Sequence, residues 1–416
     1  MTEPANPFIK YRRHLDVYQF AMNQGMSDQS YTELVSDLDH KVAEVWGTGF
    51  VVTPLVDLAL GAALPAKVVA KVETGNVSGS HKARHLFGLM IHDLVLSSVG
   101  GTGTVSHRDL AIASCGNAAL GAAVVASAAS RRLVVFVPDD ANPLVVDKLE
   151  GLGAVVEECR REPAVVGDPC VRRLQNAVRA GAQAFSVQGP LCPESIDGGR
   201  TLGLEIADQL DDRGIWVDHA WIQIGGGALA SSVMDGLARA RPGRRLPRLH
   251  PVQAEQAHPY IAGWRRIAPK LFDLETGIVD ETSSSQQQRQ SADRLQQAMQ
   301  DQDVVEVLGE WDDLMVPWPH APTSLASGIL DDLTYDWKTV MAHQIRTGGW
   351  PVTASEEDFE QAVRITAKQV SPEPDATGTS GLAGIIALGS DAADMANESH
   401  LVLITGVERS KVGSWG

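Results

Sequence analysis

From about residue 89 the chain alternates stretches of helical spacing with short, unbroken apolar runs. Ala118–Ala129 is almost entirely Ala, Val and Gly, which predicts a tightly packed helix with little exposed face. Arg132–Pro138 contains the run LVVFV, the pattern of a strand buried on both faces. Val145–Leu152 has helical spacing, and Gly153–Glu157 opens the next strand. Leu174–Ala182 (helix) and Ala184–Val187 (strand) repeat the step. So do Thr201–Asp211 (helix), Trp221–Ile224 (strand) and Leu229–Arg241 (helix). Such alternation predicts parallel βαβ units with right-handed crossovers.

Before residue 89, helical spacing over Tyr31–Val45 reads as part of an N-terminal arm, and Gly49–Val52 and Lys67–Val72 read as β-like runs. Toward the C-terminus, residues 265–320 are less regular. Ser283–Gln290 (SSSQQQRQ) reads as a solvated loop entering a helix over Ser291–Gln300, and Leu401–Thr405 as the last strand. There is no internal repeat. The expected domains are an arm (1–45), a large domain (46–88 and 190–416) and a small inserted domain (89–189).

Length and charge narrow the function. At 416 residues the chain is too long for one ordinary domain. Lys plus Arg number 35 and Asp plus Glu 52, a formal net charge of 35 − 52 = −17, which disfavours nucleic acid and anionic membrane surfaces as partners. The start, MTEPANPFIKYRR, has no apolar core of a secretory signal, and no run reaches the roughly 18 apolar residues of a membrane span. A cytoplasmic location is expected. Four cysteines (Cys115, Cys159, Cys170, Cys192), none in a CxxC pair, read as free thiols.

Four segments have chemical potential. In the first, Glu73–His85, a Gly/Ser/Asn turn delivers Lys82 to the start of a predicted helix. By itself that is an ordinary helix start. It is not a Walker A loop, and His81 and His85 lack the intervening Glu of an HExxH zinc motif. In the second, a strand-like run over Leu110–Ala113 ends in Ser114-Cys115-Gly116-Asn117 and a helix follows. The backbone N–H groups there favour an anion such as a carboxylate, while the plainer reading makes Asn117 an N-cap. In the third, the strand Trp221–Ile224 runs into Gly225-Gly226-Gly227 and a helix, a phosphate-nest pattern without the GxGxxG spacing of dinucleotide folds. The fourth is Thr405-Gly406 at the end of a buried strand, where α/β sheets bind ligands.

Taken in order, these segments resemble the pyridoxal-phosphate (PLP) enzymes of fold type II, the tryptophan synthase β-like family. The resemblance spans about residues 45–410. Ser78-Gly79-Ser80-His81-Lys82-Ala83-Arg84 looks like the family's lysine motif, and Pro138…Lys148…Gly153-Ala154 like its small-domain step. Ile196–Thr201, Gly225–Leu229 and Thr405-Gly406 fall where the family has its Asp-Gly segment, phosphate loop and pyridine-nitrogen contact. The resemblance implies an α/β fold of two lobes, each with a mostly parallel sheet flanked by helices, and the cofactor pyridoxal 5'-phosphate. It implies Lys82 as the catalytic residue, bound to the cofactor as a Schiff base. It implies Asn117 at the phenolic oxygen, Gly225, Gly226, Gly227, Ala228 and Leu229 around the phosphate, and Thr405 at the ring nitrogen. Ser114, Gly116 and Ala118 would line the substrate carboxylate. His81 departs from the family's usual apolar residue, and Ala118 from its usual His or Thr.

The context of Lys82 and His400–Gly406 looks like serine and threonine dehydratases; Gly116–Gly121 and Ser324–Ile329 look closer to threonine synthase. The expected function is therefore β-elimination on a small amino acid, releasing ammonia and a 2-oxo acid. Replacement chemistry of the threonine synthase kind, or a PLP-binding protein without turnover, are the alternatives. No metal is expected, and a second copy of the chain is the candidate partner.

Overall fold

The structure is a computed structural model that describes residues 6–61, 67–100, 108–161, 167–271, 284–319 and 322–408. The strands among them are β1 (Leu55–Leu58), β2 (Lys67–Val72), β3 (Leu110–Ala113), β4 (Leu133–Pro138), β5 (Val155–Cys159), β6 (Gln183–Ala184), β7 (His219–Gln223), β8 (Arg248–Ala254), β9 (Val352–Ala354) and β10 (Ser399–Ile404). They form a six-stranded sheet, β1-β2-β10-β7-β8-β9, and a four-stranded sheet, β5-β4-β3-β6. Every pairing is parallel except β1 with β2. The fold is α/β, with helices alternating with the parallel strands.

The described residues fall into two compact units, 6–53 with 75–205 and 54–74 with 206–408. The first contains the four-stranded sheet. Its helix Asn117–Ala128 buries Ala118 through Ala126, because side chains this small let neighbouring backbone come close. Helix Pro169–Arg179 starts on Pro169 behind an Asp168 cap, whose carboxylate accepts from Cys170 N at 2.7 Å. Cys159 and Cys170 pack with Ala111, Phe136 and Leu174 as ordinary core, and all four cysteines are free thiols.

The second unit contains the six-stranded sheet. β7 is buried along its whole length and β10 along all but its first residue, so their apolar stretches Ala220–Ile222 and Leu401–Ile404 face protein on both sides. Trp221, Val402, Ile404, Leu382, Ile385 and Phe359 are among the residues of its core. Three histidines are buried on adjacent strands. His219 Nδ1 lies 2.9 Å from His250 Nε2, and His219 Nε2 lies 2.9 Å from Glu398 Oε2. His250 Nδ1 meets the Trp350 carbonyl at 3.1 Å, and His400 Nδ1 accepts from Trp221 Nε1 at 3.1 Å. Among the described residues, no helix is long and apolar enough to cross a membrane.

Three local expectations differ. Gly49–Val52 is not a strand: the N–H groups of Phe50 and Thr53 are taken by the Asp39 and Glu205 carboxylates instead of a neighbouring strand. Most of the SSSQQQRQ segment is helical, not a loop. Helix Ser285–Ala298 begins there because Ser284 and Gln287 form a capping box; Ser283 lies outside the described residues. The strand expected over Ala184–Val187 is reduced to Gln183–Ala184.

The buried histidines set an acid limit. Burial drives His219 down to about 4 and also lowers His250 and His400. These groups stay neutral in the fold but protonate near their ordinary value of 6.5 once unfolded. The unfolded chain then binds more protons, so stability is full above about 6.5 and falls as pH drops toward about 4, where His219 itself titrates. Each such histidine contributes up to about 1.4 kcal/mol per pH unit in that window. Urea midpoints measured from pH 7.5 to 4.5 should fall with acid, and His219→Gln should make the fall shallower.

Candidate active site

In the first unit, a tight turn leads into the Lys82 helix. The Asn76 side chain accepts from Val77 N at 2.8 Å and donates to the Ser80 carbonyl at 3.4 Å, and Gly79 N donates back to the Asn76 carbonyl at 2.8 Å. Ser78 and Gly79 both have left-handed backbone, φ 58° and 68°. For the serine this costs roughly 1–2 kcal/mol. Its buried hydroxyl also has no hydrogen-bond partner among the described residues. Lys82, half-buried, is the first residue of helix Lys82–Val99.

That helix is locked by a charge two residues on. Arg84 Nη1 lies 2.6 Å from Glu205 Oε1 and donates to Thr201 Oγ1 at 3.1 Å, while its Nη2 donates to Thr53 Oγ1 at 3.3 Å. Arg84 and Glu205 are both fully buried. One turn further, Gly88 meets Gly198 of helix Glu194–Asp212 so closely that a Cβ on Gly198 would collide with the Arg84 carbonyl. The glycine of the Asp197-Gly198 pair is thus needed for helix packing. Asp197 accepts from Asp16 N at 3.0 Å and Val17 N at 2.9 Å, capping the N-terminal helix Asp16–Asn23. His85 donates to the Ser195 carbonyl (Nδ1, 3.0 Å) and is held neutral, down to about 3, by burial and then by the charge of Lys82.

The second candidate turn lies in the same unit. Gly116 N donates to Ser114 Oγ at 3.3 Å, and the first helical bond is Leu120 N to the Gly116 carbonyl at 3.2 Å. The N–H groups of Asn117, Ala118 and Ala119 precede it and face out of the helix end. Asn117 is the first helical residue and Gly116 the cap, so the plain N-cap reading of Asn117 does not hold. Its buried Oδ1 has no partner among the described residues. A Cβ on Gly121 would sit 3.1 Å from Ala83 N and 3.2 Å from Ala83 Cα, so the first turns of the Lys82 and Asn117 helices are in backbone contact. The structure thus brings Lys82, Ser114, Gly116, Asn117 and Ala118 into one region.

The second unit holds the rest. Gly225-Gly226-Gly227 follows β7 and opens helix Ala228–Ala240, with Gly227 left-handed (φ 98°) at its cap. Residues 329–340 press on the glycines from one side. A Cβ on Gly225 would collide with Asp331 Oδ2, one on Gly226 would lie 3.0 Å from the Tyr335 ring, and one on Gly227 3.1 Å from Val340. The first helical bond is Ser231 N to the Gly227 carbonyl at 3.1 Å, so the N–H groups of Ala228, Leu229 and Ala230 precede it. The nest gains a helix-end partial positive charge. Thr405 follows β10 and is buried, and Gln223 Nε2 donates to its Oγ1 at 2.7 Å. Glycine nest and threonine therefore share one end of one sheet.

Sequence reasoning misses Glu205 and Gln223. The signal for Glu205 is a carboxylate in an otherwise apolar helix stretch (LGLEIA), and for Gln223 an amide inside a buried strand. Ser78's strain has no sequence signal.

Residues 48–406 match the family model described as pyridoxal-phosphate dependent enzyme. No curated protein matches the chain. Among solved structures it is similar to a threonine deaminase from T.th. (19% identity, 90% of this chain and 98% of that one, TM-score 0.61). It is similar to diaminopropionate ammonia lyase from Escherichia coli in complex with an aminoacrylate-PLP azomethine reaction intermediate (16%, 93% and 91%, 0.61). It is also similar to maize serine racemase (15%, 92% and 95%, 0.59). At these identities the likeness is one of fold.

Removing one partner of a buried ion pair leaves the other charge stranded, at a cost of about 3–5 kcal/mol. Glu205→Ala should lower stability by that order in chemical denaturation. Glu398→Ala, which loses a partly exposed pair with Arg289, should lower it less.

Proposed function

The chain belongs to the pyridoxal-phosphate dependent enzyme family and uses that cofactor, and from this premise we propose that it catalyses β-elimination on a small amino acid, releasing ammonia and a 2-oxo acid. Serine and threonine are the first substrates to try. Lys82 is proposed as the residue that holds the cofactor, Gly225–Leu229 as its phosphate cradle, Asn117 as its phenolic-oxygen partner and Thr405 as its ring-nitrogen partner.

The residues fit the group. A phosphate dianion suits a run of glycines at a helix start, with no side chain between it and the N–H groups. Asn117 has a buried, unpartnered amide oxygen, and an amide can present either its donor or its acceptor end. The N–H groups of Asn117, Ala118 and Ala119, which precede the first helical hydrogen bond, suit a carboxylate without a charged side chain, so the Ala118 side chain need not supply a bond.

The observation that supports elimination is Thr405. Its Oγ1 accepts from Gln223, so the hydroxyl's own hydrogen is what it has to donate. A neutral donor leaves the ring nitrogen without a proton. Bound pyridoxal phosphate supplies an electron sink for bonds at the substrate α-carbon, and with an unprotonated nitrogen the sink is weak, which favours routes where a β-substituent leaves as the α-proton is lost. Lys82 is the proposed base for that proton. The turn at Ser114–Ala118 orients the carboxylate.

Borohydride reduction of the holoprotein followed by peptide mapping should place the cofactor on Lys82; an adduct on another lysine would remove the proposed role. Serine or threonine alone should yield ammonia and a 2-oxo acid, and Lys82→Ala should abolish that turnover while the protein stays folded. Turnover only with an added nucleophile or with O-phosphohomoserine would shift the reading to replacement chemistry. Bound cofactor with no turnover on an amino-acid panel would leave a binding protein.

The cradle has its own test. Gly226→Asp puts a Cβ 3.0 Å from the Tyr335 ring on the packed side of the cradle and adds a negative charge beside the proposed phosphate site, where unit like charges about 4 Å apart cost about 4 kcal/mol at an effective dielectric near 20. PLP titrations of the apo variants should show a far larger loss for Gly226→Asp than for Ala228→Ser. Equal affinities would make the glycines a simple connector.

A further inference from the structure

Gln223 ends β7 and is almost wholly buried. Its Nε2 faces four oxygens: Thr405 Oγ1 at 2.7 Å, the Gly378 carbonyl at 3.2 Å, and the Thr377 and Leu403 carbonyls at 3.3 Å each. Three of the four are carbonyls, which cannot donate. The end of the amide that faces them must therefore be the NH2, and a flipped amide would set oxygen against oxygen. The other end, Oε1, is buried without a hydrogen-bond partner among the described residues. It points toward Gly381, where a Cβ would lie 3.3 Å from it. An orphaned buried acceptor costs free energy and asks for a reason.

We infer that Gln223 is a positioning residue that keeps the Thr405 hydroxyl a donor toward the cofactor's ring nitrogen. The inference rests on the proposed role of Thr405. The NH2 does two things at once. It occupies a lone pair of Thr405 Oγ1, so the hydroxyl hydrogen points away from Gln223. Its second N–H is left for the carbonyls of Gly378, Thr377 and Leu403, the nearest of which is Gly378 at 3.2 Å. No charge is introduced, so nothing here drives a proton onto the ring nitrogen. A buried amide achieves this where a carboxylate would do the opposite.

The test uses Gln223→Met, Thr405→Val and the double variant, prepared as apo protein and reconstituted with PLP labelled with 15N in the ring. Three quantities are read: the PLP dissociation constant, the ring 15N chemical shift, and the thermal midpoint of the apo protein as a check on folding. Gln223→Met should weaken PLP binding about three- to tenfold, the span of one net hydrogen bond. It should shift the 15N resonance in the same direction as Thr405→Val. The double variant should be no weaker than Thr405→Val alone, because both changes remove one interaction. A folded Gln223→Met protein with unchanged 15N shift, or losses that add in the double variant, would overturn the inference and leave Gln223 as packing. Unchanged shift and affinity in Thr405→Val would overturn the Thr405 role itself, and the inference with it.

Gln223→Glu serves where Gln223→Met does not fold. A carboxyl among these four oxygens can bond only while it holds its proton. PLP affinity in this variant, divided by that of the parent protein at the same pH, should therefore fall as pH rises through that titration. A ratio that does not change with pH would overturn the inference.

Discussion

The buried pair of Arg84 and Glu205 is the constraint on which the Lys82 region depends. Both side chains are out of solvent, and taking two such charges from water costs several kcal/mol each before their attraction is counted. The pair is tolerable because its geometry is saturated. Two guanidinium nitrogens reach the two carboxylate oxygens, and Thr53 and Thr201 take up remaining donors. This arrangement exists only if helix Lys82–Val99 and helix Glu194–Asp212 approach to backbone distance. Gly88 and Gly198 are the residues that let them. Lys82 stands two residues from Arg84 on the same first turn, so the orientation of the lysine is inherited from a charge pair that does no chemistry itself.

The two proposed anion sites, one in each unit, share the same local geometry. Each ends a run of small residues at a helix start, and the first N–H groups of the helix precede its first internal hydrogen bond. In one unit the residue types are Ser-Cys-Gly-Asn and in the other Gly-Gly-Gly. Neither needs a lysine or arginine, which accords with a chain whose formal charge is −17. Backbone donors alone can make a concavity that suits an anion. The glycines have two demands on them: the N–H side must stay open, and the other side is packed by Asp331, Tyr335 and Val340. Only residues without a Cβ meet both.

Strained or orphaned groups lie in these segments, as others do elsewhere among the described residues. Ser78 has left-handed backbone and an unpartnered hydroxyl, Asn117 an unpartnered amide oxygen, and Gln223 another. Each costs free energy in the protein alone, which is the pattern expected where a fold gives up stability to hold groups in place for a ligand. By contrast the His219–His250–His400 cluster lies toward the opposite end of the parallel strands from Thr405.

The elements and the anion turns are legible in the sequence because they are local. Parallel strands buried on both faces announce themselves as apolar runs such as LVVFV, and turns need the Gly, Ser and Asn that stand at 76–80, 114–117 and 225–227. The helix that begins inside SSSQQQRQ is hidden, because a capping box and polar helix formers have no apolar period. What no local pattern carries is the partner of a buried polar group. Arg84 finds Glu205 across 121 residues, and Gln223 finds Thr405 across 182. In the sequence, Arg84 is one residue of the lysine motif and Gln223 one position of the strand Trp221–Ile224. Their meaning depends on desolvation, which is decided only when strands and helices from distant parts of the chain close over them and leave a single set of partners within reach.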